Sequence, residues 1–396
     1  MDGAIMTSDQ RDAHEIRAKL DKDKIHFNCR FYSGYKPCGK SEFCEGCSQY
    51  SPINSRILII KLAALGDVLR TTSILPGLKK AHPQSHISWI TDKNALPLLE
   101  NNPYIDALYC FDAEGVLIAS HKRYDLVLNF EKEERALALM RSTQGREKRG
   151  FAFSEADGLS IANDASLYSL QLGLNDELKF YFNRKTYQQI IYEMAELKYS
   201  GEGYVLELPE ESVRFAEKTG IKKGLEKERY TIGLNTGCGG VFETKRWTIE
   251  GFSQLAELLH RDGDCQILLL GGPREEEFNR AILEKTGDYV IDTGCRNPLH
   301  EFFGLVSLCD VVVSSDSLGA HIAVALEKQV VVFFGSTCSS EVDLYGRGEK
   351  LVTDFSCSPC YKKRCDKEVT CMQALEADAV HKAVRRCISS ITPSRT

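Results

Sequence analysis

The sequence predicts two consecutive α/β domains, each a doubly wound parallel sheet, facing one another across a cleft. Three observations carry that reading. Short apolar runs alternate with helical patterns from residue 53 to about residue 201, and the alternation restarts at residue 230. Repeated β-α steps of this kind build a parallel sheet covered on both faces. The chain has 396 residues, room for two domains of ordinary size. Polar or glycine-rich loops follow strand candidates in both halves, where open α/β sheets build their clefts.

Hydrophobic residues make up 43% of the chain and charged residues 27%, as in ordinary globular proteins. A net charge of −6 gives no footprint for a nucleic-acid partner. No apolar run is long enough to span a bilayer, and the polar N-terminus, MDGAIMTSDQRDAHEIRAKLDKDK, lacks the apolar core of a signal peptide. These features predict a cytoplasmic protein, with residues 1–24 as a polar tail. The 15 cysteines are then thiols or metal ligands rather than disulfides.

The first domain is organised around RILIIKLAALGDVLR, residues 56–70. It reads as a buried strand, a small-residue turn and an acid, Asp67, opening a helix. Asp67 either caps that helix, a contribution of about 1 kcal/mol, or presents its carboxylate to the cleft. Further strands are expected at residues 87–91, 107–111, 126–130 and 149–153, with helices at 68–81 and 133–142. Residues 161–228 read as helical and polar, containing the connector to the second domain.

Strands of the second domain are expected at residues 230–235, 266–270, 289–292, 311–314 and 330–334. Three of their ends carry polar groups. Asn235-Thr236-Gly237-Cys238-Gly239-Gly240 exposes backbone N–H groups, and Lys245 beyond it adds a cation, a pairing suited to phosphate. Pro273-Arg274-Glu275-Glu276 opens a helix, and its acids either bind ribose hydroxyls or complement the helix dipole. Ser315-Asp316-Ser317-Leu318-Gly319-Ala320-His321 opens a helix whose free N–H groups can meet a diphosphate, unless Asp316 and Ser317 serve only as a cap and His321 as a core histidine. Three such loops in one domain favour binding of a nucleotide diphosphate.

The cysteines fall in two clusters. Cys29, Cys38, Cys44 and Cys47 surround Gly and Pro, the last two as C-x2-C, which suits a metal knuckle. Cys357, Cys360, Cys365 and Cys371 follow the second sheet as C-x2-C-x4-C-x5-C. Four thiolates suit structural zinc or iron and leave no open position. The expected division is therefore an extension over residues 1–52, domains over 53–210 and 211–355, and a cysteine segment with a terminal helix over 356–396.

Residues 59–72, IIKLAALGDVLRTT, together with Lys245-Arg246-Trp247, the Ser315–His321 stretch and Cys357-Ser358-Pro359-Cys360, resemble glycosyltransferase family 9, the ADP-heptose heptosyltransferases of lipopolysaccharide inner-core assembly. The resemblance spans about residues 56–376. It implies a GT-B fold, with the acceptor on the N-terminal domain and ADP-heptose or a related nucleotide sugar on the C-terminal one. It implies Asp67 as general base, Lys245 on phosphate, Asp316 to His321 around the diphosphate, and Glu275 or Glu276 on ribose. Inverting transfer of this kind requires no catalytic metal, and contact with the inner membrane face would be at most peripheral. The Cys29–Cys47 knuckle departs from the inner-core enzymes and is expected beside the acceptor domain, which leaves lipid-linked and protein acceptors both open. The alternatives are a transferase of another nucleotide-linked sugar, or a metal-binding GT-B scaffold without activity.

Overall fold

Continuous runs of Ile, Leu and Val, too apolar to face water on either side, form the centres of two six-stranded sheets. The computed structural model describes residues 22–35, 38–41 and 44–391; the polar tail expected over residues 1–24 lies, up to residue 21, outside the described residues. The first sheet has β1 (Ser55–Ile60), β2 (Ser85–Thr91), β3 (Ala107–Cys110), β4 (Arg123–Asn129), β5 (Gln144–Phe153) and β6 (Leu159–Ile161), in the order β3-β2-β1-β4-β5-β6. All neighbours are parallel except β5 and β6. The second has β7 (Tyr230–Asn235), β8 (Cys265–Leu270), β9 (Val290–Asp292), β10 (Val311–Ser315), β11 (Gln329–Phe334) and β12 (Gly348–Val352), all parallel, in the order β12-β11-β10-β7-β8-β9. The carboxyl ends of β1 and β4 face those of β7 and β10, and the cleft lies between them.

The expected strands are present, and the departures have local causes. The helix expected over residues 68–81 is two helices, Leu65–Thr71 and Ile74–Ala81. Pro76 has no N–H for the Thr72 carbonyl and its ring excludes that carbonyl, so the helix stops and restarts. The hydroxyls of Thr72 and Ser73 bond back to Leu69 O and Arg70 O at 2.6 and 2.8 Å. The connector is helical only in part. After the helix Tyr187–Met194, residues 197–209 have no regular secondary structure, where Gly201 and Gly203 lower helix propensity. This stretch is tied to the first domain by Val205 N to Thr72 Oγ1 at 2.8 Å. The helix Glu210–Lys223 then packs on the helix Leu299–Ser307, and Ser212 Oγ donates to His300 O at 2.6 Å. Two strands escape the sequence pattern. The short β6 returns from β5 through Asp157 at φ 61°, and β12 is a half-exposed edge.

The N-terminal segment lies away from the cleft. Cys29 bridges Pro52, Arg30 donates to Ser85 O at 2.7 Å and pairs with Asp106, and Cys47 N bonds Cys44 O. Ser85 begins β2 and Asp106 precedes β3, so this segment sits at the amino ends of the strands. The extension thus lies beside the first domain, at the end opposite the loops that follow the carboxyl ends of the strands.

The terminal helix Ala377–Ser390 buries Val380, Ala383, Val384 and Ile388 against the second sheet. Trp247 anchors the junction. It is 1% exposed, packs 5.0 Å from Phe252 and 5.5 Å from Phe333 between ring centroids, and donates Nε1–H to Leu375 O at 3.0 Å. Trp247→Ala should cost about 3–5 kcal/mol of stability, read as a lower denaturant midpoint at unchanged slope.

Candidate active site in the interdomain cleft

Asp67 lies in the first turn of the helix that follows β1, as the sequence predicts, but it is not a cap. The N-cap position is Ala64, and no side chain caps that helix. The Asp67 carboxylate instead pairs with Arg70, Nη2 to Oδ1 at 2.9 Å, while Oδ2 lies 3.9 Å from Lys61 Nζ. Lys61 is 4% exposed and donates to Glu131 Oε2 at 2.9 Å. The Arg70 guanidinium stacks over the Tyr187 ring at 3.9 Å, and Tyr187 meets Thr71 through a 2.7 Å hydroxyl contact. Burial pushes the Asp67 carboxyl up, but Arg70 first, then Lys61 and His321, outweigh it and hold the group below the ordinary aspartate value. Burial likewise opposes the Lys61 ammonium, and Tyr187, Asp67 and Glu131 together hold it above the ordinary lysine value.

The second domain brings its three polar strand ends to the same cleft. Lys245 Nζ donates to Asp316 O at 2.6 Å and stands 3.9 Å from Asp316 Oδ2. His321 Nε2 is 3.6 Å from Asp316 Oδ1. Burial again opposes ionisation of Asp316, and His321 and Lys245 reverse it, so this carboxyl is held far below the ordinary range. The helix Leu318–Ala325 starts at Ser317, whose hydroxyl does not cap it. That hydroxyl meets Asn235 Nδ2 at 3.1 Å and Ser314 Oγ at 3.0 Å. The first-turn N–H groups thus have no side-chain acceptor from the cap residue and retain the positive end of the helix dipole. Gly319 is required here, since a Cβ would come 2.6 Å from the Asn235 amide.

The two adjacent acids separate. Glu275 is 5% exposed; its Oε2 accepts from Gly272 N at 3.1 Å, beside Gly237, and its Oε1 from Arg246 at 3.3 Å. Glu276 pairs with Arg296 on the surface. Thr236 turns inward, its hydroxyl donating to Asn279 Oδ1 at 2.6 Å with Leu270 O 3.1 Å away. It holds the Gly237 loop rather than presenting a hydroxyl to the cleft. Leu318 packs on the apolar cluster shared by both domains. Sequence reasoning gave no side-chain role to Lys61, Arg70, Glu131 or Asn235. Lys61, Glu131 and Asn235 lie at or just beyond a strand end, the one signal the sequence offers for them, whereas Arg70 lies in the last turn of the helix Leu65–Thr71.

The cysteines do not assemble as expected. Cys357, Cys360, Cys365 and Cys371 line one cavity of about 480 Å³ together with Arg246, Lys362 and Lys363. Yet among the described residues no three Cys, His, Asp or Glu side chains gather closely enough to hold a metal ion, in this cluster or in Cys29, Cys38, Cys44 and Cys47. The donor chemistry suits zinc or iron, but the ligands do not converge. Among the described residues no helix is long and apolar enough to cross a membrane.

At the cleft the Asp67 helix comes close to His321 of the second domain. A Cβ on Gly66 would lie 2.8 Å from His321 Cδ2, while Tyr204 of the connector approaches His321 Nδ1 at 3.4 Å. Gly66→Ala should therefore prevent the Asp67 and Asp316–His321 loops from meeting at this distance. Turnover should fall by about 10²-fold, as expected for a misplacement near 1 Å, with an unchanged melting temperature.

A family model described as glycosyltransferase family 9 (heptosyltransferase) matches residues 120–370. Lipopolysaccharide heptosyltransferase 1 of Campylobacter coli is 22% identical over 355 residues, covering 83% of this chain and 98% of that protein. Among solved structures, the glycosyl transferase family 9 protein of Veillonella parvula has a TM-score of 0.69 at 21% identity, covering 86% of this chain and 98% of that one. The dodecameric iron-containing heptosyltransferase TibC of enterotoxigenic E. coli, in complex with ADP-D-β-D-heptose, has a TM-score of 0.55 at 12% identity, covering 86% and 78%.

Proposed function

The chain belongs to glycosyltransferase family 9, the heptosyltransferases, and on that premise we propose that it moves heptose from ADP-heptose to a hydroxyl of the lipopolysaccharide inner core with inversion. The observation that carries the site assignment is Asp67, in the first turn of the helix after β1, standing opposite the Asp316–His321 loop, with Gly66 against the His321 ring. In this reading Asp67 takes the acceptor hydroxyl's proton while that oxygen attacks the anomeric carbon and the bond to the diphosphate breaks. Oδ1 is engaged by Arg70, whereas Oδ2 stands 3.9 Å from Lys61 Nζ, beyond hydrogen-bond distance, and is the oxygen that receives the proton. General base assistance of this kind contributes about 10²–10⁴-fold.

Lys245 and the uncapped helix N-terminus at Ser317, Leu318 and Gly319 meet the departing diphosphate, so the step needs no catalytic metal. Glu275, beside the Gly237 loop, accepts the ribose hydroxyls; Glu276 is too far out on the surface to do so. The protein works in the cytoplasm and reaches its lipid-linked acceptor by peripheral contact with the inner membrane face. Calorimetric titration with ADP-heptose should show binding that Lys245→Ala abolishes and Asp67→Ala leaves nearly intact, while Asp67→Ala removes turnover. Parallel loss of binding and turnover in Asp67→Ala would overturn the base role. Assays with heptose-free lipopolysaccharide core and with protein acceptors separate the two acceptor classes. Because Asp67 is held below the ordinary carboxyl range, turnover should persist at mildly acidic pH and be lost only as pH falls through that depressed value.

For Cys357, Cys360, Cys365 and Cys371 we infer a structural zinc or iron site that forms when the loop around the cavity draws its thiols inward. Elemental analysis of the purified chain should give at least one ion, reduced by one in Cys360→Ser. Equal metal content in both proteins would overturn the assignment.

A further inference from the structure

Glu131 lies two residues beyond β4, is 8% exposed, and has a backbone locked by Asn129. Asn129 Oδ1 accepts from Glu131 N at 3.0 Å, and Asn129 Nδ2 donates to Glu131 O at 3.1 Å and to Phe151 O at 2.8 Å. One oxygen, Oε2, gathers three donors: Lys61 Nζ at 2.9 Å, Leu62 N at 3.3 Å and Ala63 N at 3.2 Å. The other accepts from Lys132 N at 3.3 Å. β1 ends at Ile60, so Leu62 and Ala63 have left the sheet ladder just before the helix that carries Asp67. A buried N–H without an acceptor is costly, and the Glu131 carboxylate takes both.

Lys61 therefore sits between two carboxylates, at hydrogen-bond distance from Glu131 and about an ångström farther from Asp67. We propose that Glu131 is a positioning residue that acts through Lys61, holding the ammonium off Asp67 so that Oδ2 stays open to receive the acceptor's proton. This rests on the reading of Asp67 as the base. The other groups facing Asp67 are Arg70 on its own helix and His321 and Asp316 from the second domain; Tyr187 faces Lys61 and Arg70, and Tyr204 and Glu341 face Arg70. None of these replaces Glu131 as a carboxylate partner within hydrogen-bond distance of Lys61.

Glu131→Gln tests the charge while keeping an amide oxygen for the two backbone N–H groups. Without the negative partner, Lys61 closes on Asp67, whose two oxygens are then both engaged. With ADP-heptose as donor and heptose-free lipopolysaccharide core as acceptor, kcat should fall about 10- to 100-fold with unchanged donor affinity. The acidic limb of the kcat profile should move to lower pH, because a closer cation favours the ionised Asp67. A crystal structure of the variant should show Lys61 Nζ within about 3.2 Å of Asp67. A merely structural role predicts a lower melting temperature with an unmoved acidic limb. An unmoved limb, or an unchanged Lys61–Asp67 separation, overturns the proposal. Turnover surviving in Asp67→Ala is a separate outcome, which removes the base reading and this inference with it.

Discussion

Buried charge in this cleft is tolerated because it alternates in sign. Taking a carboxylate or an ammonium out of water costs several kcal/mol unless partners replace the lost hydration. On the first domain the order is Glu131, Lys61, Asp67, Arg70; on the second Asp316 stands beside Lys245 and feels Arg70 across the cleft. Asp67 and Asp316 repel each other across the gap, yet both are held ionised because cations flank each of them. The strand-to-helix turn after β1, the approach of the two domains and the ionisation of Asp67 all depend on that alternation.

Apolar packing sets how closely the charged loops can come. One buried cluster runs from Ile59, Val68 and Leu69 of the first domain to Leu268, Phe303, Val312 and Ile322 of the second. The domains are thus joined through a shared core as well as through the connector. At the rim the backbone does the fine adjustment. Gly66 lets the Asp67 helix meet His321, and Gly319 lets the Ser317 helix meet Asn235. Asn235 draws the Ser317 hydroxyl away from a capping role, which leaves the helix N-terminus to a ligand.

Much of this was legible before the fold was seen. The strands β1, β7, β8, β10 and β11 are short apolar runs bounded by turn residues, and Asp67, Lys245, Glu275 and Asp316 stand just past them. Elements that failed to announce themselves lacked that contrast. β6 and β12 are half-exposed edges, the N-terminal half of β5 is charged, and the connector mixes helical and irregular backbone. The break at Thr72 needed Pro76 to be weighed against an otherwise continuous amphipathic pattern.

The sequence by itself determined the two-domain GT-B architecture, the family and the strand ends where chemistry gathers, because hydrophobic periodicity and turn residues are local properties. Tertiary structure decided which polar residues face one another. Glu131 lies about seventy positions from Lys61 in the chain, and only the pairing of β4 beside β1 brings them together. The burial of Glu275 beside an exposed Glu276, the inward turn of Thr236 and the seat of the cysteine-rich extension at the amino ends of the strands were decided in the same way. Which of two adjacent side chains faces a cleft depends on where a helix begins and what packs behind it, and that is a long-range property of the folded chain.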